Sequence, residues 1–111
     1  MQNNNKRLIF PKKDGYVILK WDEIRYFEGK SNYSIIHTTN NEQFILSISL
    51  KQVENMIPKE NFNRSHKSHI VNMNCIKEIN RKTSTLYLNN GNTLPIALRR
   101  LKSFIEHIGK N

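Results

Sequence analysis

The stretch Phe62-Asn-Arg-Ser-His-Lys-Ser-His-Ile-Val-Asn72 decides how this chain is read. Apolar residues stand at its two ends, Phe62 on one side and Ile70-Val71 on the other. Between them lie Arg64, Ser65, His66, Lys67, Ser68 and His69: hydrogen-bonding groups and cations, with no carboxylate. Apolar ends anchor a segment in a core, and the polar centre is then presented outward. Side chains of this kind suit phosphate oxygens and base edges. The competing reading is a polar hairpin connection with two structural histidines.

Charge favours the first reading. The chain has 111 residues, enough for one domain with an ordinary core, and a net charge of +9. Residues 31–58 contribute −1, from Lys51 against Glu42 and Glu54, so the excess lies in 1–30, 59–82 and 98–111. One-signed charge at this level points to a polyanionic partner, nucleic acid first. A membrane surface fits less well, because no basic amphipathic segment with bulky apolar anchors stands apart from the expected core. A solvated basic face on a plain protein-interaction module is the bland alternative. No apolar run is long enough to span a bilayer, and Met1 to Arg7 lacks the apolar core of a signal peptide. A cytoplasmic location is expected. The single cysteine, Cys75, excludes an internal disulfide and is expected to pack in a strand, in alternation with Val71 and Met73.

In chain order, residues 1–7 read as a flexible lead and 8–109 as a single domain. Leu8-Ile9-Phe10 is a strand stopped by Pro11, and Asp14-Gly15 marks a hairpin back through Tyr16 to Lys20. Ile24 to Phe27 and Tyr33 to Thr38 are strands around the turn-rich Glu28 to Asn32. Glu42 to Leu46 pairs back. Ser49 with Gln52 forms a capping box, and Leu50, Val53 and Ile57 give a helical stripe ended by Pro58. Phe62 to Ser65, His69 to Asn72 and Ile76 to Asn80 are strands. Ser84 to Leu88 and Thr93 to Ile96 flank the Asn90-Gly91 turn. Leu98, Leu101, Phe104 or Ile105, and Ile108 recur as a closing helix, with Gly109 placed to end it. Arg99 and Arg100 fall in its first turn, where the helix dipole disfavours cations and a bound anion would relieve them. The count is about ten short strands and two helices, a mainly β fold with strands too short for one flat sheet.

Catalytic and metal chemistry find little support. His66 and His69 are three apart, without the spacing of a zinc site, and strand alternation sets them on opposite faces. Ser65-His66 and Ser68-His69 are neighbours that point apart in a strand, and no glycine-framed nucleophile turn is present. The carboxylates show no paired spacing. No enzyme, cofactor, metal or small-molecule substrate is expected. Three segments do combine cations and amides without apolar bulk: Gly29-Lys30-Ser31-Asn32, His66-Lys67-Ser68, and Arg99-Arg100 with Lys102. No recognition-helix pattern and no RNA-stacking aromatic spacing accompanies them, so duplex contact by loops is the better reading. A basic β-rich RNA-binding or ribosome-associated protein is the alternative.

Several blocks, in order, resemble one known family. They are Ile24-Arg-Tyr-Phe-Glu28 followed by Ser31-Asn-Tyr33; Ser49-Leu50 before an amphipathic helix and Pro58; the Phe62 to Asn72 stretch; and Asn90-Gly91, Leu94-Pro95-Ile96 and Arg99-Arg100. Together they resemble the LytTR DNA-binding domain of bacterial response regulators in two-component systems. The resemblance runs from about Ile24 to Ile108. It implies an elongated set of small antiparallel sheets with ten strands, one short internal helix and a C-terminal helix. It also implies transcription regulation, by loops entering successive major grooves of double-stranded DNA at imperfect direct repeats. The base-reading positions carry over to Asn32 (or its neighbour Ser31), Lys67 and Arg99. Arg64, Ser68, Arg100 and Lys102 match positions near the phosphates. Lys30 and Ser31 are expected as phosphate or loop contacts beside Asn32, and His66, flanked by Ser65 and Lys67, is read either as a structural hydrogen-bonding group or as unassigned. Lys67 stands where some members have Asn, which exchanges an adenine reader for a guanine reader or a point charge. Ala97 offers no hydroxyl where Ser can occur. The partners implied are duplex DNA, a second copy on an adjacent repeat, and either a receiver domain or a membrane-bound inhibitor.

Overall fold

The computed structural model describes residues 6–109. A five-stranded antiparallel sheet forms its middle layer, in the order β5-β4-β3-β7-β6. These strands are β3 (Ile24–Gly29), β4 (Ser34–Thr38), β5 (Gln43–Leu46), β6 (Phe62–His66) and β7 (His69–Asn72). Because successive strand residues point to opposite faces, neighbouring apolar residues here serve two different cores. Phe27 and Ile70 face a core shared with Phe10, Leu50 and Val53. Tyr26 and Val71 face a second core, with Leu86, Leu94 and Phe104. That division explains why Ile70-Val71 and Tyr26-Phe27 read as unbroken apolar pairs.

The first core is closed by the hairpin of β1 (Arg7–Lys12) and β2 (Gly15–Lys20) and by the short helix α1 (Leu50–Glu54). In β1, Leu8 and Phe10 are buried while Ile9 is exposed, the alternation of a half-buried strand. The capping box forms as the residues dictate: Gln52 N donates to Ser49 Oγ, and Ser49 N donates to Gln52 Oε1. The second core is closed by a three-stranded sheet, order β10-β9-β8, and by α2 (Leu98–Gly109). Its strands are β8 (Ile76–Asn80), β9 (Thr85–Leu88) and β10 (Thr93–Pro95). Among the described residues no helix is long and apolar enough to cross a membrane.

Two polar side chains lock the middle sheet from within. Arg25 lies at a bulge in β3, buried, and its guanidinium donates to Thr38 O at 2.8 Å, Thr39 O at 3.0 Å and Asn41 Oδ1 at 3.0 Å. Asn72 donates to Ile24 O at 2.9 Å and accepts from Asn74 N at 2.9 Å. Its acceptor shapes a one-turn 3-10 helix, Met73–Cys75.

The mainly β class, the ten strands and the two helices are as the residues led one to expect, and several details differ. The body measures 43 × 37 × 24 Å, compact rather than elongated, because the small sheets stack over two cores instead of running end to end. Cys75 sits in the 3-10 turn that Asn72 caps, not in a strand, and burial there raises its thiol pKa. Pro11 does not stop β1. That strand pairs on one side only, so a missing N–H can face away from β2. β1 also begins at Arg7, and residues 1–5 of the expected lead lie outside the described residues. α1 ends at Glu54, capped by Asn55, yet Ile57 stays buried. Leu98 is 69% exposed, so the inward stripe of α2 starts at Leu101 and centres on Phe104. α2 runs to Gly109, the last described residue.

Candidate nucleic-acid interface

At one end of the middle sheet, β3 and β6 finish and β4 and β7 begin. All three cation- and amide-bearing segments meet there. Residues 30–33 join β3 to β4, and Lys67-Ser68 joins β6 to β7. Gly29 N donates to Ser68 O at 2.7 Å and ties these two connections together. Ala97 N donates to Ser65 O at 2.8 Å and sets the start of α2 beside the end of β6. Residues up to sixty-odd positions apart in sequence therefore form one row across the sheet end: the 30–33 loop, the Lys67-Ser68 turn, then Arg99.

The Lys67-Ser68 turn is held from inside. Arg64 donates from Nη2 to Lys67 O at 2.6 Å and, at longer range, from Nε to His66 O; its Nη1 meets Glu54 Oε1 at 2.9 Å. All three of its nitrogens thus act on the turn or on α1. His66 Nδ1 accepts from Ser68 N at 3.2 Å, which puts its proton on Nε2. Lys67 itself is exposed and has no side-chain hydrogen bond or ion pair among the described residues.

The 30–33 loop is closed by Lys30 N donating to Tyr33 O at 2.9 Å. Gly29 sits close against Leu50 at its root: a Cβ there would lie 3.0 Å from Leu50 Cβ and Cδ2, so Leu50 would have to give way by a few tenths of an ångström. Lys30 pairs with Glu28 at 3.1 Å, and Glu28 also meets His37 Nε2 at 3.0 Å. The His37 hydrogen bond, helped by Lys30 and opposed by burial, lowers the Glu28 pKa. Ser31 and Asn32 are exposed beyond this pair.

On α2, Arg99 and Lys102 share an outer face three residues apart and both are exposed. Arg100 points the other way. Its Nη1 donates to Arg64 O at 3.4 Å, and its Nε is buried without a partner. Burial, with the like charges of Arg99 and Arg64, lowers the Arg100 pKa. Farther along, His107 Nδ1 meets Asn63 Nδ2 at 3.0 Å and its Nε2 meets Glu60 O at 3.2 Å, which holds α2 against β6.

One expectation is overturned. His66 and His69 are cross-strand partners on the same face, ring centroids 5.7 Å apart, because the chain reverses between them. Tyr26 and His37 continue that aromatic row, stacked at 4.2 Å. Burial, followed by the nearby His66, lowers the His69 pKa. Among the described residues no group of three or more His, Cys, Asp and Glu side chains converges to hold a metal. Sequence reasoning also missed Glu54, whose carboxylate holds Arg64. The two lie ten residues apart on different elements, and no local spacing signals such a pair.

The comparisons agree with this geometry. The LytTr DNA-binding domain model matches residues 14–109. A solved structure described as the LytTr DNA-binding domain of a putative methyl-accepting/DNA response regulator from Bacillus cereus superposes with a TM-score of 0.77. It is 28% identical, and the match covers 95% of this chain and 98% of that one. No curated protein matches the chain at a significant level. The family match over most of the chain, with the same fold and one cationic sheet end, establishes that the chain belongs to the LytTr DNA-binding domains of transcription regulation.

Proposed function

We propose that this domain reads specific duplex DNA sequences in the major groove through the row at the sheet end, with two copies on imperfect direct repeats. One observation carries the reading. Asn32, Lys67 and Arg99 come from three separate elements, stand at one sheet end, and have exposed side chains with no hydrogen bond among the described residues. Amide, ammonium and guanidinium groups are the ones that discriminate base edges there. Lys30, Ser31, Ser68 and Lys102 flank them as phosphate contacts. Arg64 and Arg100 act mainly by shaping the Lys67 turn and seating α2, and their remaining Nη N–H groups, not the buried Arg100 Nε, are available to phosphate. The domain works where the bacterial chromosome is, in the cytoplasm.

The test is selection from random duplex DNA, with single strands and structured RNA as competitors. A directly repeated duplex motif is expected. Its affinity should fall with salt at a log–log slope of roughly −5, if about six phosphates are neutralised. Preference for RNA or single strands, or a slope near zero, would overturn the reading.

A further inference from the structure

The row at the sheet end does not stop at the 30–33 loop. On the far side of that loop lies β5, whose Leu46 pairs with Ser34 at the start of β4. The next residue, Ser47, donates its N–H to Pro11 O at 3.1 Å. This bond brings the β1–β2 tip to the same sheet end as Asn32. Lys12, Lys13 and Tyr33 line one open groove of about 530 Å³ together with Ile45 and Ser47. Both lysines are exposed and make no ion pair among the described residues. The tip is a tight turn, Lys12 pairing with Gly15 across Lys13-Asp14. It therefore presents its charges from a fixed place. Neither the three base-reading positions nor their flanking cations use it.

We propose that Lys12 and Lys13 form a further phosphate-binding site that extends the row on the Asn32 side, with Tyr33 offering its hydroxyl to the same sugar–phosphate backbone. A flexible ammonium pair suits phosphates rather than base edges, so the site adds affinity without sequence preference. Asp14, the carboxylate of the same turn, opposes it. This inference rests on the duplex-DNA reading above.

The experiment is a salt titration on the selected repeat, with four proteins: wild type, the double variant Lys12→Ala/Lys13→Ala, Asp14→Asn, and Lys20→Ala. Asp14 has φ 65°, a conformation asparagine adopts readily, so the turn survives its substitution. Lys20 lies at the other end of the same hairpin, on the order of 17 Å from the tip at ordinary strand rise. The double variant should bind more weakly to all sequences alike, its slope shallower by about 0.9 for each phosphate it no longer neutralises. Asp14→Asn should bind more tightly, and Lys20→Ala should keep the wild-type slope. A misfolded tip could not produce effects of opposite sign. An unchanged slope in the double variant, or an equal change in Lys20→Ala, overturns this site while leaving the groove-reading row intact. A flat wild-type slope overturns the duplex reading itself.

Discussion

Asn72 and Asn32 stand at opposite ends of the five-stranded sheet. Asn72 is 1% exposed, and its amide donates to Ile24 O and Trp21 O and accepts from Asn74 N. Asn32 is exposed and its amide has no hydrogen bond among the described residues. The arginines repeat the contrast. Arg25 is buried and holds two carbonyls and an amide oxygen of the β4–β5 turn, whereas Arg99 projects from the start of α2 into solvent. The same two residue types hold backbone at one end and are left open for a partner at the other. Residue type does not separate the two uses. Burial does, because a buried donor without a partner costs free energy and an exposed one keeps its bonds to water until a ligand replaces them. Arg64 and Arg100 sit between the extremes, half-buried, each holding a carbonyl near the row.

The contrast predicts a large stability loss at the closed end. Arg25→Met takes the guanidinium away from Thr38 O, Thr39 O and Asn41 Oδ1, and only Thr38 O keeps another donor, Asn41 N at 3.1 Å. It should lower unfolding free energy by about 2–3 kcal/mol. Urea denaturation measures this, and DNA affinity per folded molecule should stay at the wild-type value. A loss below about 0.5 kcal/mol, the size of an ordinary surface change, would erase the distinction between the two ends.

At the open end the signs reverse. Arg99→Ala should leave the urea midpoint unchanged and cost about 1–3 kcal/mol of binding, concentrated on one base position per half-site. Lys67→Ala should likewise spare the fold, since an exposed turn side chain seldom shifts stability by more than about 0.5 kcal/mol. Single-base variants of the selected repeat provide the reading. An even loss across all of them would make Arg99 a phosphate contact rather than a base reader.

The smallest effect concerns His69, in between. Its folded pKa is held below the unfolded value, near 6.5, mainly by burial. The folded state then binds fewer protons inside that window. Stability should fall as pH drops through about 6.5, and level off below the folded pKa. His69→Phe keeps a ring beside Tyr26 and removes the titration, so the gap between urea midpoints at about pH 7.5 and about pH 5.5 should narrow. A gap as wide as in wild type would assign the pH dependence to the other histidines.

Much of the fold was legible from local signals. The Ser49–Gln52 capping box, the strand alternation around Leu8 and Phe10, and the Asn90-Gly91 turn each act over a few residues, where propensity and hydrogen-bond geometry are set by near neighbours. The three candidate segments stand out as cations and amides without apolar bulk, yet within them His66, Ser68 and Arg100 are half-buried. What misled was also local. The Val71-Met73-Cys75 alternation imitates a strand, and Leu98 imitates the start of a buried stripe.

From its residues alone, this chain could be read as a basic, mainly β LytTR-like domain with three candidate contact segments. Only the tertiary structure decided that those segments share one sheet end, that His66 and His69 share a face, and that Arg64 turns inward to Glu54 while Lys67 stays exposed. The physical reason is the range of the interactions. Caps, turns and alternation are short-range and appear as spacing. Gly29 to Ser68, Ala97 to Ser65 and Ser47 to Pro11 are bonds between distant backbone groups, which any residue can make and no side chain announces.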